Sequence, residues 1–220
     1  KTFMSRVFAW MFLALGATAL TAYVFATTDL IQLVYSPEGG MSILGWVAML
    51  APLGFVFYMS SRFQTMSRNS LLIMFVIYSV LMGISLSFIL LVYTSASIFS
   101  TFVVTSGTFG LMALIGYTTK TDLTKFGSIL MMGVLGIILA SIVNMFMQSG
   151  TMEYIISIIG VLIFTGLTAY DVQKLKNIVM AVGPYQGAEV DNLAIMGALS
   201  LYLDFLNLFL FMLSFLGDRK

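Results

Sequence analysis

Long apolar runs recur along this chain and are separated by short polar stretches. Seven runs approach the roughly 20 residues that an α-helix needs to cross a bilayer. They cover about residues 7–27, 41–59, 71–92, 98–118, 127–147, 154–173 and 193–216. The longest connection, from about 174 to 192, leaves no room for a separate soluble domain. The pattern predicts an all-α, polytopic integral membrane protein with seven transmembrane helices in a single domain over residues 1–220.

The composition supports a lipid environment. Hydrophobic residues make up 60% of the 220 residues and charged residues only 9%, against about 25% charged residues in typical soluble domains. A soluble core could not hide that much apolar surface, whereas a bilayer can. The predicted partner along most of the chain is therefore lipid.

The lysines and arginines of the short connections predict the orientation of the chain. Eight of them fall on one side of a seven-span arrangement: Lys1, Arg6, Arg62, Arg68, Lys120, Lys125, Lys174 and Lys176. The other side has Arg219 and Lys220, and its first connection carries Asp29 and Glu38 instead. This bias predicts a cytoplasmic N-terminus and an external C-terminus. A six-span arrangement with both termini inside stays open as an alternative.

Missing residue types exclude several kinds of site. The chain contains no cysteine and no histidine, so it has no disulfide, thiolate metal site or imidazole ligand. The usual physiological pH switch is histidine, so any proton sensor here must be a carboxylate. The net charge is only +1 and no basic stripe exists, which argues against a nucleic-acid partner. We expect no organic cofactor.

Two aspartates, Asp171 and Asp204, lie inside the last two predicted spans, and the other five spans carry no charge. An acid near the middle of a membrane helix costs roughly 2.5–3.5 kcal/mol, so such residues usually face a protein interior and have a function there. Asp171 lies near the cytoplasmic end of span six. Asp204 lies roughly 16 Å into span seven at the α-helical rise. Antiparallel neighbours could bring the two acids together in the inner half of the membrane.

Polar side chains share the helical faces of both acids. Ser200 and Asn207 lie on the face of Asp204, and Thr168 lies on the face of Asp171. Two carboxyl groups held close together in a low dielectric titrate as one coupled unit, which makes a proton switch. The same oxygens, once deprotonated, suit a hard cation such as calcium. The pair is therefore predicted as both pH sensor and metal-binding site, with a purely structural hydrogen-bonded pair as the alternative.

Arg62 lies at the cytoplasmic end of the second predicted span, at a depth close to that of Asp171. We interpret it as a gating counter-charge that could form a breakable ion pair with this acid. The alternative is an ordinary positive-inside loop charge.

Four stretches carry a family likeness: FTGLTAYDVQK at 164–174, GALSLYLDFLNLF at 197–209, YTTKTDL at 117–123 and MSRVFAWM at 4–11. The chain resembles the BAX inhibitor-1 family, also called the transmembrane BAX inhibitor motif family, over nearly its whole length. The resemblance implies seven helices with the last surrounded by the other six. It also implies that Asp171 and Asp204 form a pH-sensitive site in a calcium-leak pathway, in a bacterial inner-membrane member.

Three functions compete at this stage. The first is a pH-sensitive cation leak gated by the aspartate pair, with calcium and protons as its ligands and no enzymatic activity. The second is a non-transporting regulator that binds a membrane protease or a component of a stress or cell-death pathway. The third is an intramembrane aspartyl protease. The third is disfavoured because Leu201 and Leu203 occupy positions where that class needs glycine beside the aspartate.

Overall fold

The computed structural model describes residues 2–35, 40–182 and 188–220. Within these ranges the chain is helical and forms no named strand, which confirms the all-α prediction. The helices are α1 (Phe3–Thr27), α2 (Ile31–Val34), α3 (Ile43–Arg62), α4 (Arg68–Leu86), α5 (Ile89–Val92), α6 (Ser95–Thr118), α7 (Thr124–Met147), α8 (Gly150–Val182) and α9 (Ala188–Leu216).

Seven segments of the described chain are long and apolar enough to cross a membrane. They are Phe3–Thr27, Ile43–Arg62, Arg68–Val92, Ser95–Thr118, Thr124–Met147, Gly150–Ala181 and Val190–Leu216, which confirms the predicted number of spans. Half of the most apolar window of the last segment is buried, against 11% for α7. Such burial is what a central last helix requires, although the central position itself stays a prediction.

The chain packs as two compact units. Unit 1 contains the described parts of Lys1–Tyr93 and Pro184–Tyr202 together with Lys220, and unit 2 contains those of Thr94–Gly183 and Leu203–Arg219. Helix α9 is continuous, so its first half belongs to unit 1 and its second half to unit 2. The single domain over residues 1–220 stays a prediction from the sequence.

In unit 1, a proline within α3 is accommodated by a side chain of α4. Pro52 lacks an amide hydrogen and therefore cannot donate to the carbonyl of Ala48 one turn earlier. The Ser85 hydroxyl donates to that carbonyl at 2.6 Å instead. Serine rescue of a freed carbonyl is one way in which membrane helices tolerate proline. The same helix starts at Ser42, whose hydroxyl accepts from the amide of Gly45.

Helix α1 packs closely against α4. The approach depends on Gly83, where a Cβ atom would lie 2.6 Å from the carbonyl oxygen of Thr18. The Thr18 hydroxyl donates to the carbonyl of Ser79 at 2.9 Å and lies 2.6 Å from the hydroxyl of Tyr202 on α9. This buried polar contact attaches the first half of α9 to the packed pair.

Helix α8 is the axis of unit 2, since α6 and α7 both pack against it. Two glycines allow the close approach. A Cβ at Gly116 of α6 would lie 2.2 Å from the carbonyl oxygen of Ala169, and one at Gly127 of α7 would lie 2.4 Å from the ring of Tyr170. Both contacts fall directly before Asp171, so they fix the backbone that carries this acid.

Candidate functional site

The structure brings the two predicted acids together inside unit 2. Asp171 on α8 and Asp204 on α9 lie within side-chain hydrogen-bonding range of each other. Asp204 is only 6% exposed and Asp171 is half-buried. The two acids therefore approach each other from neighbouring helices, and the role of the pair stays a prediction.

One oxygen of the pair needs a further ligand. Oδ2 of Asp204 is buried and has no protein hydrogen-bond partner among the described residues. If both acids were ionised, all their oxygens would be acceptors and no hydrogen bond could join them. A proton shared between the carboxyl groups would supply the missing donor, and a bound cation would satisfy the same oxygen. The geometry thus suits either a proton or a cation.

The predicted supporting residues occupy the positions expected from helical spacing. Thr168 is fully buried and donates its hydroxyl to the carbonyl of Phe164 at 2.8 Å. The amide of Asn207, one turn after Asp204, donates to the carbonyl of Leu203 at 2.8 Å. Their oxygens still have capacity to accept a hydrogen bond or to bind a cation. Ser200, one turn before Asp204, is half-buried and belongs to the unit 1 portion of α9.

Within unit 2, the cation that acts electrostatically on Asp171 is Lys174, one turn later on α8. Its ammonium group lies 5.9 Å from the centre of the Tyr170 ring. Arg62, the predicted counter-charge, is the exposed last residue of α3 in unit 1, and its role as a latch stays a prediction. Lys174 was counted in the sequence only among the charges that predict the orientation, and its position beside Asp171 was missed.

Polar contacts also fix the end of α8 beyond Asp171. The side-chain amide of Gln173 accepts from the backbone of Leu123 and donates to the carbonyl of Thr121, both at 2.8 Å. In the same connection, hydrogen bonds from Thr124 hold the pKa of the exposed Asp122 below its ordinary value. Asp122 therefore stays ionised near neutral pH and cannot act as the proton sensor.

The sequence reading missed an ionic cluster at the start of α9 in unit 1. Asp191 forms an ion pair with Arg6 of α1 and a second one, at 3.4 Å, with Arg68 of α4. The neighbouring Asn192 donates to the carbonyl of Met66 at 2.9 Å. Both arginines had been interpreted only as orientation charges. The available signal was Asp191 on a side rich in basic residues, but the sequence does not identify its partners.

The predicted calcium site has few protein ligands. No group of three or more acidic side chains that could hold a metal ion occurs in residues 2–35, 40–182 and 188–220. A calcium ion prefers six to eight oxygen ligands, so the two carboxyl groups would need water and amide or carbonyl oxygens to complete the shell. Such a site suits a passing ion better than a resident one.

Comparisons with known proteins agree on one family. The family model described as "Inhibitor of apoptosis-promoting Bax1" matches residues 1–220. The inner membrane protein YbhL of Escherichia coli is 42% identical over 221 residues, which covers 100% of this chain and 93% of that protein. A protein of Borreliella burgdorferi is 43% identical over 99% of this chain and 92% of its own length, and one of Rickettsia prowazekii is 39% identical over 100% and 91%.

Proposed function

The chain belongs to the family of inhibitors of apoptosis-promoting Bax1, and we propose that it is a pH-gated cation leak whose gate is the pair of Asp171 and Asp204. It is a multi-pass membrane protein with seven apolar helices. Calcium is the proposed permeant ion, because ionised carboxylates and amide oxygens are ligands that a hard cation prefers. No catalytic role is proposed for the pair.

The observation that carries this proposal is the buried carboxyl pair with one unpartnered oxygen. A buried acid without a partner costs stability, and the apolar spans around it offer little compensation. A purely structural pair would be expected to satisfy all of its oxygens. An unsatisfied oxygen at the centre of a helical unit is instead what a transient proton or cation site needs.

The gate would respond to protons in two steps. When both acids are ionised, their charge attracts a nearby cation, either Arg62 as predicted from the sequence or Lys174 of the same unit, and the path is closed. The first proton weakens that attraction and opens the path. The second proton removes the negative charge that binds the permeant ion, so flux falls again. Coupled acids release their protons in two macroscopic steps, which makes this sequence of events accessible.

The proposed location is the bacterial inner membrane, since the relative YbhL is named an inner membrane protein. The proposed orientation places the N-terminus in the cytoplasm and the C-terminus outside, as the lysine and arginine bias predicts. In that orientation the ends of α7 and α9 and the beginning of α8 face outward.

The test is calcium flux into proteoliposomes of the purified protein across a pH series from 8 to 5. We expect flux to rise and then fall as the pH drops. The Asp171→Asn variant should leak at every pH because the cationic counter-charge no longer has a carboxylate to pair with. The Asp204→Asn variant should conduct poorly. Asp122→Asn is the matched control, since it removes an exposed acid of the same unit. A steady decline of flux on acidification, alike in both site variants, would reject the gate.

A second candidate function is regulation without transport. The family description names an inhibitor of a death-promoting protein, which favours a protein partner that binds through the helices. Folded protein that passes no calcium at any pH, in its natural form and as Asp171→Asn, would favour this candidate over the leak.

A further inference from the structure

A cavity of about 590 Å³ opens between the ends of α7 and α9 and the beginning of α8, all within unit 2. Its volume is many times the roughly 30 Å³ that one water molecule occupies. Much of its lining is polar, namely Ser141, Asn144, Glu153, Ser157, Asn207 and Ser214. Hydroxyl, amide and carboxylate groups along membrane-spanning helices are costly when they face lipid, so this lining indicates a water-filled space.

Glu153 is the acid of the lining. Its Oε1 accepts from the hydroxyl of Ser214 at 3.4 Å, and that hydroxyl lies 3.0 Å from the hydroxyl of Ser157. The carboxylate also forms an ion pair with Arg219. The arginine is not part of the described lining, so the carboxylate faces the cavity while its counter-ion lies beside it.

In the ion pair between Glu153 and Arg219, another cation can replace the arginine. The side chains of Glu153 and Arg219 are 43% and 56% exposed, and exposed ion pairs are worth at most about 1 kcal/mol. A hard cation at the mouth can therefore displace the guanidinium group from Glu153. Oxygen atoms of Ser157, Ser214 and Asn207 are then available as further ligands of the type that such a cation prefers.

The cavity lining on α9 comes within one helical turn of the carboxyl pair. Asn207 and Ser214 share one helical face with Asp204, and Asn207 is one turn from this acid. Phe211 lines the cavity, and its ring stacks on that of Phe164 of α8 with 5.7 Å between the ring centres. Phe164 lies seven residues before Asp171, or roughly 10 Å along the helix. The stacked rings thus form an apolar contact between α8 and α9 beside the cavity.

We propose that this cavity is a hydrated vestibule that concentrates metal cations outside the gate, with Glu153 as the cation-attracting group and Arg219 as its displaceable counter-charge. The assignment of the vestibule to a permeation path rests on the proposed leak function. A divalent ion such as calcium is the expected occupant, because it competes best with one guanidinium group for a carboxylate. An anion attracted by Arg219 is the opposing outcome of the test.

Because the 220-residue chain contains no cysteine, a single introduced thiol can be modified selectively. Ser214→Cys introduces a single thiol beside Glu153, and Ser141→Cys provides a second position in the part of the lining that α7 contributes. Purified protein in lipid nanodiscs, accessible from both sides, is treated with methanethiosulfonate reagents of similar size that carry either a trimethylammonium or a sulfonate group. Ser95→Cys, exposed at the start of α6 in the same unit, is the control for the intrinsic rates of the reagents.

We expect the ratio of cationic to anionic modification rates at Ser214→Cys to exceed the control ratio at least about fivefold, since a carboxylate focuses cations in a low-dielectric cleft. Adding Glu153→Gln should return the ratio to the control value. Calcium at millimolar concentration should slow the cationic reagent at Ser214→Cys and leave the control unchanged. Equal ratios at the cavity and control positions, a preference for the anionic reagent, or unreactive thiols at both cavity positions would overturn the proposal.

These rates do not depend on conduction. A cation preference at Ser214→Cys in a protein that passes no calcium would retain the vestibule and reject the leak. Calcium flux with no cation preference would retain the leak and reject the vestibule.

Discussion

Helix α9 carries Asp191 in unit 1 and Asp204 in unit 2, and these two acids have opposite surroundings. In unit 1, Asp191 contacts two arginines, and its charge is more than balanced. In unit 2, Asp204 contacts another acid, and one of its oxygens has no partner among the described residues. The first arrangement balances the charge of the acid, and the second leaves one oxygen for the proposed proton or cation.

The difference indicates which acid has a structural role and which a functional one. An acid that pairs with two arginines has its charge balanced by the protein itself and needs no mobile ion. An acid beside a second carboxyl group gains from a proton or a metal cation. The proposed function therefore gives the same residue type an attachment role at one end of the helix and a gating role near its middle.

The largest expected effect is a difference in calcium flux between variants of these two acids. Asp204→Asn removes a charge that attracts a cation by about 4 kcal/mol at 4 Å and an effective dielectric constant of 20. Calcium flux in proteoliposomes should therefore fall at least about tenfold. Asp191→Asn should change flux per folded protein by less than about twofold, because it only releases two arginines. Equal losses in both variants would remove the functional distinction between the units.

The sequence predicted the spans because the bilayer demands about 20 apolar residues in each. It predicted the acid pair because charges are rare in such spans. It placed the end of the sixth span near 173, whereas α8 continues to Val182. Hydropathy detects the membrane-spanning length of a helix, and the polar extension that begins at Lys174 lies beyond that signal.

Contacts between distant residues could not be predicted from one sequence. The pairing of Arg6 with Asp191 joins residues 185 positions apart, and any of the basic residues on that side could have been the partner. The glycines that allow close packing could not be identified from the sequence either. Gly116 and Gly107 look alike in the sequence, yet only Gly116 contacts a neighbouring backbone, and a Cβ at Gly107 would meet nothing within 4 Å.

The next effect concerns the counter-charge. Arg62→Gln should raise calcium leak at pH 8 by up to roughly fivefold if this residue is the latch, since an exposed ion pair contributes up to about 1 kcal/mol. Lys174→Gln is the matched variant for the cation in the same unit as the pair. Flux at pH 8 compares them directly. A rise only in Lys174→Gln would assign the latch to α8, and no rise in either would leave the pair without a cationic latch.

A smaller effect should appear in the stability of unit 1. Asp191→Asn leaves Arg6 and Arg68 without their shared partner, and the three side chains are 22–49% exposed. We expect a loss of about 1 kcal/mol, seen as a lower unfolding midpoint in detergent that diminishes with added salt. Asp29→Asn, an exposed acid of the same unit, should leave the midpoint unchanged. A salt-independent loss would contradict an ionic role for this cluster.

The smallest effect concerns the buried hydroxyl contact that attaches α9 to α1. Tyr202→Phe removes the hydroxyl that lies 2.6 Å from that of Thr18 and should cost about 1 kcal/mol of stability. Because Thr18 can still donate to Ser79, flux should be unchanged. Asn207→Ala, one turn beyond Asp204, should show the opposite profile, with altered flux and little loss of stability. Matching profiles for the two variants would contradict the division of α9 into two roles.

The most direct test of the gate is a double-mutant cycle on calcium flux, with Asp171→Asn, Asp204→Asn and both together, from pH 8 to 5. Residues that act as one unit have non-additive effects. The account predicts that the double variant conducts as poorly as Asp204→Asn alone and shows no dependence on pH. A double variant whose flux is the product of the two single effects, with the pH response retained, would show that the acids act independently and that the pair is not the gate.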